Sequence, residues 1–273
     1  MSAAPAVELR EYSAYGKLAF DRFVLVHWDY STPSAEDQNQ WNELARKWLR
    51  MDHTARSPHW MAVLPLERVD RSDPRLPAQE QIDRVLAPHQ TIAERNIAQD
   101  NEPCIYMRTC YEPSLASAFE EMTRNIRNDV YESYRLFDNE ALYGNVGPDL
   151  EVAYLRMPQL PDTVQYCGYP ETEDLPFEDD PPEDENKLRL YEAAMKARGM
   201  MYLMDEEALK RKMLKLIWTD LGGNIVWWNW LKPSDTQSFE GLYYGKGYGL
   251  HELLQRGDGN SHYDNEGAVI EYQ

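Results

Sequence analysis

The sequence predicts a helix-dominated α+β fold: a small sheet or a few short strands in the N-terminal part packed with long amphipathic helices, then an extended acidic arm and a loop-rich C-terminal tail. Three observations lead there. Apolar residues recur at three and four through Trp41, Leu44, Trp48 and Leu49, and again from Leu115 through Ala118, Phe119, Met122, Ile126, Val130, Tyr134 and Phe137, which is the period of one buried helix face. Short β-branched and aromatic runs bounded by turn residues read as strands. From Tyr169 to Asn186 the chain carries nine acids, no bases and four prolines, a composition that suits an extended linker or arm.

In order, the run Leu18 to Trp28 is expected to be a strand, because it ends on β-branched and aromatic residues. Thr32-Pro33-Ser34 then supplies a cap, and the Trp41 to Leu49 stripe a helix. His59 to Leu66 is a short apolar segment closed by Pro65. A weaker helix is expected through Gln79, Ile82, Val85 and Leu86, resuming after Pro88 as far as Ile97. Cys104 to Tyr111 reads as a second strand, the 114–143 stretch as the longest helix, and Leu150 to Met157 as a third strand. Beyond the arm, Lys187 to Ala197 is helical, and Asp205 caps a helix that runs through Leu209 and Met213 to Ile217, ended by Gly222-Gly223. Glycine then punctuates the tail. The organisation expected is a core over 1–168, an arm over 169–186, a helical pair with a tryptophan-rich segment over 187–233, and a glycine-rich tail over 234–273.

With 47 acidic against 28 basic residues the formal net charge is -19, which argues against nucleic acid as a ligand, since phosphate binding draws on a basic surface. A basic protein partner fits better. Cys104, Cys110 and Cys167 cannot all pair within one chain, and their spacing suits no zinc site; free thiols in a reducing intracellular compartment are expected. No targeting segment is visible in the first residues. The most apolar window, Met213 to Leu231, contains Lys215, Asp220, Asn224 and Asn229 and is too polar to span a bilayer.

Several motifs suggest chemistry. Gly245 to Glu252 looks like a phosphate loop, yet it lacks the Gly-x-Gly-x-x-Gly order and the Walker ending, so turn glycines account for it. Asp258, Asn260, His262, Asp264 and Glu266 alternate as calcium ligands do, but Tyr263 occupies the position that needs glycine. His27, Asp29, His53 and His59 are weak candidates for a metal or acid-base site, with no His-x-x-x-His spacing among them. No cofactor is expected.

The most informative stretch is Lys210 to Lys232. It holds four of the eight tryptophans, and five Lys or Arg against one acid. Indoles beside basic side chains suit a docking surface, because indole buries a large area while its N–H keeps a polar partner. The residues expected to bind a partner are therefore Trp218, Trp227, Trp228, Trp230, Lys210, Arg211 and Lys215, with Glu178, Asp179 and Asp180 of the arm. This reading makes the chain a non-catalytic accessory or structural subunit of a multi-protein assembly, with largely exposed indoles. A mitochondrial inner-membrane complex of respiratory or ATP synthase type, contacted peripherally, would suit it. A viral or phage structural protein and an enzyme built on the histidine group are the alternatives.

Overall fold

A computed structural model describes residues 15–66, 69, 72–99, 105–126, 136–144, 146, 150–161, 183–243, 249–250, 253 and 263–272. In chain order its elements are α1 (Ala19–His27), α2 (Asp37–Leu49), α3 (His53–Val63), α4 (Gln79–Gln81, continued by a π-helical turn Ile82–Leu86), α5 (Ile92–Gln99), β1 (Tyr106–Arg108), α6 (Ala116–Ile126), β2 (Leu136–Phe137), α7 (Glu140–Tyr143), α8 (Glu151–Arg156), α9 (Glu185–Lys196), β3 (Gly199–Met204), α10 (Glu206–Arg211), β4 (Leu214–Thr219), β5 (Ile225–Leu231), α11 (Thr236–Tyr243) and β6 (Val269–Ile270). Helix dominates, and the six strands form one mixed sheet in the order β2-β1-β3-β4-β5-β6.

The central ribbon β3-β4-β5 is antiparallel, while β2, β1 and β3 run parallel and β6 runs parallel to β5. The sheet draws strands from the 1–168, 187–233 and 234–273 segments alike. Its three longest strands lie after residue 198. Alternation along the strands puts Tyr106, Tyr202, Leu214, Leu216, Trp218 and Leu231 on one face, which packs with α6, α9 and α11. Met107, Phe137, Met201, Leu203 and Ile217 point the other way, onto α8 and the residues around it. A third core, built from Phe20, Phe23, Val24, Trp41, Ala45, Trp48, Val63, Val85 and Leu86, sits among α1 to α4.

Four expectations are corrected. Leu18 to Trp28 forms helix α1, not a strand: Phe20, Phe23, Val24 and His27 share a helical face, and the Asp21 carboxylate accepts the N–H groups of Gly16 and Leu18 at the helix start. Leu150 to Met157 contains helix α8. It lies between two cores, with Leu155 packed in the helical layer and Ala153 and Tyr154 against the sheet, so three consecutive apolar residues are buried on different sides and no single-face period shows.

Asp205 does cap a helix, its Oδ1 accepting the Ala208 N–H at 2.8 Å, but Lys212 adopts a left-handed φ of 55° and ends it. The residues expected to continue it become β4. Leu214, Leu216 and Trp218 fit a period of two as well as one of 3.6, and pairing with β3 and β5 decides between them. Gly222-Gly223 accordingly makes a hairpin turn, where Gly223 has φ +84° and a Cβ would meet the Tyr154 ring at 2.8 Å. Finally, the stretch read as one helix over 114–143 holds α6, then strand β2, then α7; residues 127–135 lie outside the described part.

Two buried polar networks fasten the layers together. Asp21 and Arg95, both fully buried, pair through two hydrogen bonds of 3.0 and 2.6 Å, and Arg95 also donates to Gln90 and covers the Tyr15 ring. Glu94 receives both Nε and Nη2 of Arg156, the Tyr143 hydroxyl and the Thr91 N–H. Burial pushes the Glu94 carboxyl up, yet these four donors together outweigh it and hold it below the ordinary range. Arg56, also buried, donates to the carbonyls of Trp48 and Leu221 and so ties α3 to the β4-β5 turn.

Candidate functional site

The tryptophan segment is a strand in the middle of a covered sheet, and that reverses the expectation of exposed indoles. Trp218, Trp227 and Trp230 are buried and Trp228 is half-buried. On one face Trp227 donates its indole N–H to the Tyr263 carbonyl and Trp218 meets Phe239 edge-on. On the other, Trp228 and Trp230 pack as a T at 5.4 Å. Two of the basic residues expected to grip a partner close over these rings, Lys215 at 4.8 Å from the Trp228 ring and Arg211 at 4.8 Å from Trp230, and Arg189 joins them 5.9 Å from Trp227. Lys210 and Arg211 also pair with Glu206 and Glu207 one helical turn before them. The combination of indole and cation is thus satisfied within the chain.

Of the four weak metal candidates, the structure brings two together. The His27 and His59 rings lie 6.3 Å apart around Phe23 and Trp48. His27 donates Nδ1–H to the Phe23 carbonyl at 2.9 Å, and burial, then the neighbouring His27, holds His59 below the usual imidazole value. Asp29 instead binds the Ser31 amide and hydroxyl and the Thr32 hydroxyl, which lower its carboxyl, and His53 stands at the exposed start of α3. His27, Asp29 and His53 are all exposed, so the four do not converge in one concave pocket. Among the described residues no group of three or more His, Cys, Asp or Glu side chains is placed to hold a metal ion.

Glu178, Asp179 and Asp180 lie outside the described residues, as do Gly245, Lys246, Gly247, Tyr248, Asp258, Asn260 and His262 of the two tail motifs. Glu266, from the calcium-like pattern, pairs with Arg189. Cys110 is a half-buried free thiol. Among the described residues no helix is long and apolar enough to cross a membrane.

Among the described residues, sequence reading missed one open cleft. The connection leaving β1 goes to the tyrosine face as α6, while the connection leaving β2 goes to the opposite face as α7 and α8. Covering segments that part in this way open a crevice at the carboxyl ends of parallel strands, where α/β sheets bind ligands. Here a cleft of about 440 Å³ is lined by Thr109, Val146, Leu150, Leu203, Asp205, Glu206, Glu207, Lys210 and Lys215. Lys210 and Lys215 were among the expected site residues; the others come from four separate stretches of chain, and only Asp205, as a helix cap, carried a local signal.

A second missed residue is His89. It stacks on Trp41 with ring centroids 4.6 Å apart, and its Nδ1 meets Gln38 Oε1 at 3.0 Å. Its Nε2 is buried without a hydrogen-bond partner, and burial pulls its pKa down to about 4. No family model, curated protein or solved structure matches this chain.

Proposed function

We propose that the chain is a non-catalytic, partner-binding subunit of a larger protein assembly, and that it meets its neighbour through the outer surface of its helical layer. One observation carries this reading. Among the described residues, the exposed large apolar side chains are Val26, Tyr30, Met61, Leu64, Ile92 and Val152. All six belong to the region spanning α1 to α5 or to α8, and none to the sheet.

Val26 and Met61 are 72% and 63% exposed, on helices α1 and α3 that pack side by side, and Met61 and Leu64 share one outward face of the α3 end. Water-exposed apolar area of this kind is a cost that association removes. The overall acidity favours a partner with a basic face. Peripheral membrane contact rested on exposed indoles, whereas Trp218, Trp227 and Trp230 are buried and Trp228 is half-buried, so the proposal is one of protein contact; a mitochondrial or viral assembly would each be named by its components.

The test is native co-purification of the tagged full-length chain from its own cells, with size exclusion and mass spectrometry. A stoichiometric partner should co-elute with the wild-type chain and be lost from a Val26→Glu, Met61→Lys double variant whose circular dichroism is unchanged. A wild-type chain that elutes alone, or a partner retained by the variant, overturns the reading.

A further inference from the structure

We propose that the cleft at the carboxyl ends of β1 and β3 binds a small zwitterion, a free α-amino acid with an apolar side chain, whose carboxylate is taken by Lys215 and whose ammonium is taken by Asp205. Lys215 stands on the wall of the cleft. Its side chain is 21% exposed, and its nearest carboxylate oxygen, Asp205 Oδ2, is 3.6 Å away, beyond hydrogen-bond reach. An ammonium carries three N–H donors. The Trp228 ring at 4.8 Å occupies one side of Lys215, and the cleft takes the remainder.

Asp205 is poised in the complementary way. Its Oδ1 is used as the cap of α10, while Oδ2 faces Lys215 without closing on it. The other charges around the cleft are already matched: Lys210 holds Glu206, and Arg211 holds Glu207 at 2.8 Å. That leaves one ammonium and one carboxylate, 3.6 Å apart and each half-satisfied. An α-amino acid presents the opposite charges across a single carbon, so it can lie head to tail against this pair and complete both.

The remaining walls choose among ligands. Val146, Leu150 and Leu203 give the cleft an apolar side, which suits an aliphatic or aromatic side chain, and a volume of about 440 Å³ is at the small end of ligand pockets. A simple anion at Lys215 would be repelled by the Asp205 carboxylate beside it. A metal cation would face Lys215 itself. The zwitterion adds no net charge to the pair, and the desolvation of its two charged ends is offset by the two ion pairs they form with Lys215 and Asp205.

The experiment is calorimetric titration of the full-length chain with L-leucine and L-phenylalanine, then with L-leucinamide, which lacks the carboxylate, and 4-methylpentanoate, which lacks the ammonium. Saturable one-to-one binding of leucine or phenylalanine is expected, with both analogues weaker by about tenfold or more, the equivalent of one lost charged contact. Lys215→Met keeps the stem over Trp228 and should abolish binding. Asp205→Asn, which preserves the helix cap, should weaken binding while leaving the thermal unfolding curve in place. No saturable binding of either amino acid at millimolar concentration overturns the proposal, and so does equal binding of leucine and both analogues. The analogue series uses the wild-type chain, so it decides the matter even where a variant fails to fold.

Discussion

The helical layer of α1 to α5 and the sheet with its covering helices solve the same problem in opposite ways. In the helical layer the aromatic residues Phe20, Phe23, Trp41 and Trp48 make a packed centre, fully buried charges brace it from beneath, and apolar side chains such as Val26 and Met61 are left outside. In the sheet the large apolar residues are turned inward or roofed by cations, as Arg211 roofs Trp230. The contrast shows that local enrichment in tryptophan is a poor guide to a contact surface. A strand in mid-sheet has two faces to fill, and indole fills them at low entropy cost; a surface helix has an outer face that nothing within the chain requires to be apolar.

Changes at four positions should sharpen that contrast. The largest effect is expected from Asp21→Ala, which leaves Arg95 charged and buried; removing one partner of such a pair costs about 3–5 kcal/mol. Urea unfolding measures it, and a paired Asp21→Leu, Arg95→Met variant should recover most of the loss. Gly267→Ala tests the sheet side. Gly267 has φ +79° and a Cβ there would lie 2.8 Å from the Trp228 ring, so a loss of about 1–3 kcal/mol is expected, with a change in tryptophan fluorescence that reports the displaced ring.

The third is a pH dependence. His89 has a folded pKa of about 4 against an ordinary 6.5, so between those values the unfolded chain binds the extra proton. The stability His89 contributes is complete above pH 6.5 and is lost as pH falls towards 4, at no more than about 1.4 kcal/mol per pH unit. Stability curves at pH 7, 6 and 5 should therefore be steeper for the wild-type chain than for His89→Gln. The smallest effect is Met61→Lys, an exposed change worth under about 0.5 kcal/mol in the isolated chain; thermal unfolding should barely move while partner co-elution falls.

How far the sequence could be read depended on the reach of the interaction concerned. The helix at Trp41 to Leu49, the helical start of α6, the paired helical stretches around Val85 and Ile97 and the Asp205 cap were legible because each is written in contacts three or four residues apart, and the strand within Cys104 to Tyr111 because a short apolar run carries it. Leu18 to Trp28 was misread because its β-branched end outweighed a helical stripe whose cap, Asp21, is a residue inside the run. Met213 to Ile217 was misread because its pattern satisfies two periods at once. The cleft as a site was not legible, although Lys210 and Lys215 were singled out: Thr109, Val146, Leu150 and Leu203 come from separate stretches of chain that only the tertiary fold brings together.

The sequence by itself determined the acidity, the preponderance of helix, the positions of several caps and the presence of an aromatic, basic stretch after residue 209. Tertiary structure decided what that stretch became. Hydrogen-bonding to β3 on one side and β6 on the other turned it into strands and put its indoles under cover, because the free energy of strand pairing and two-sided burial comes from residues distant in the chain and exceeds the roughly 1 kcal/mol scale of local preference. The same long-range pairing set Lys215 beside Asp205 at the mouth of a cleft, while most of the exposed large apolar side chains among the described residues stand on the helical layer.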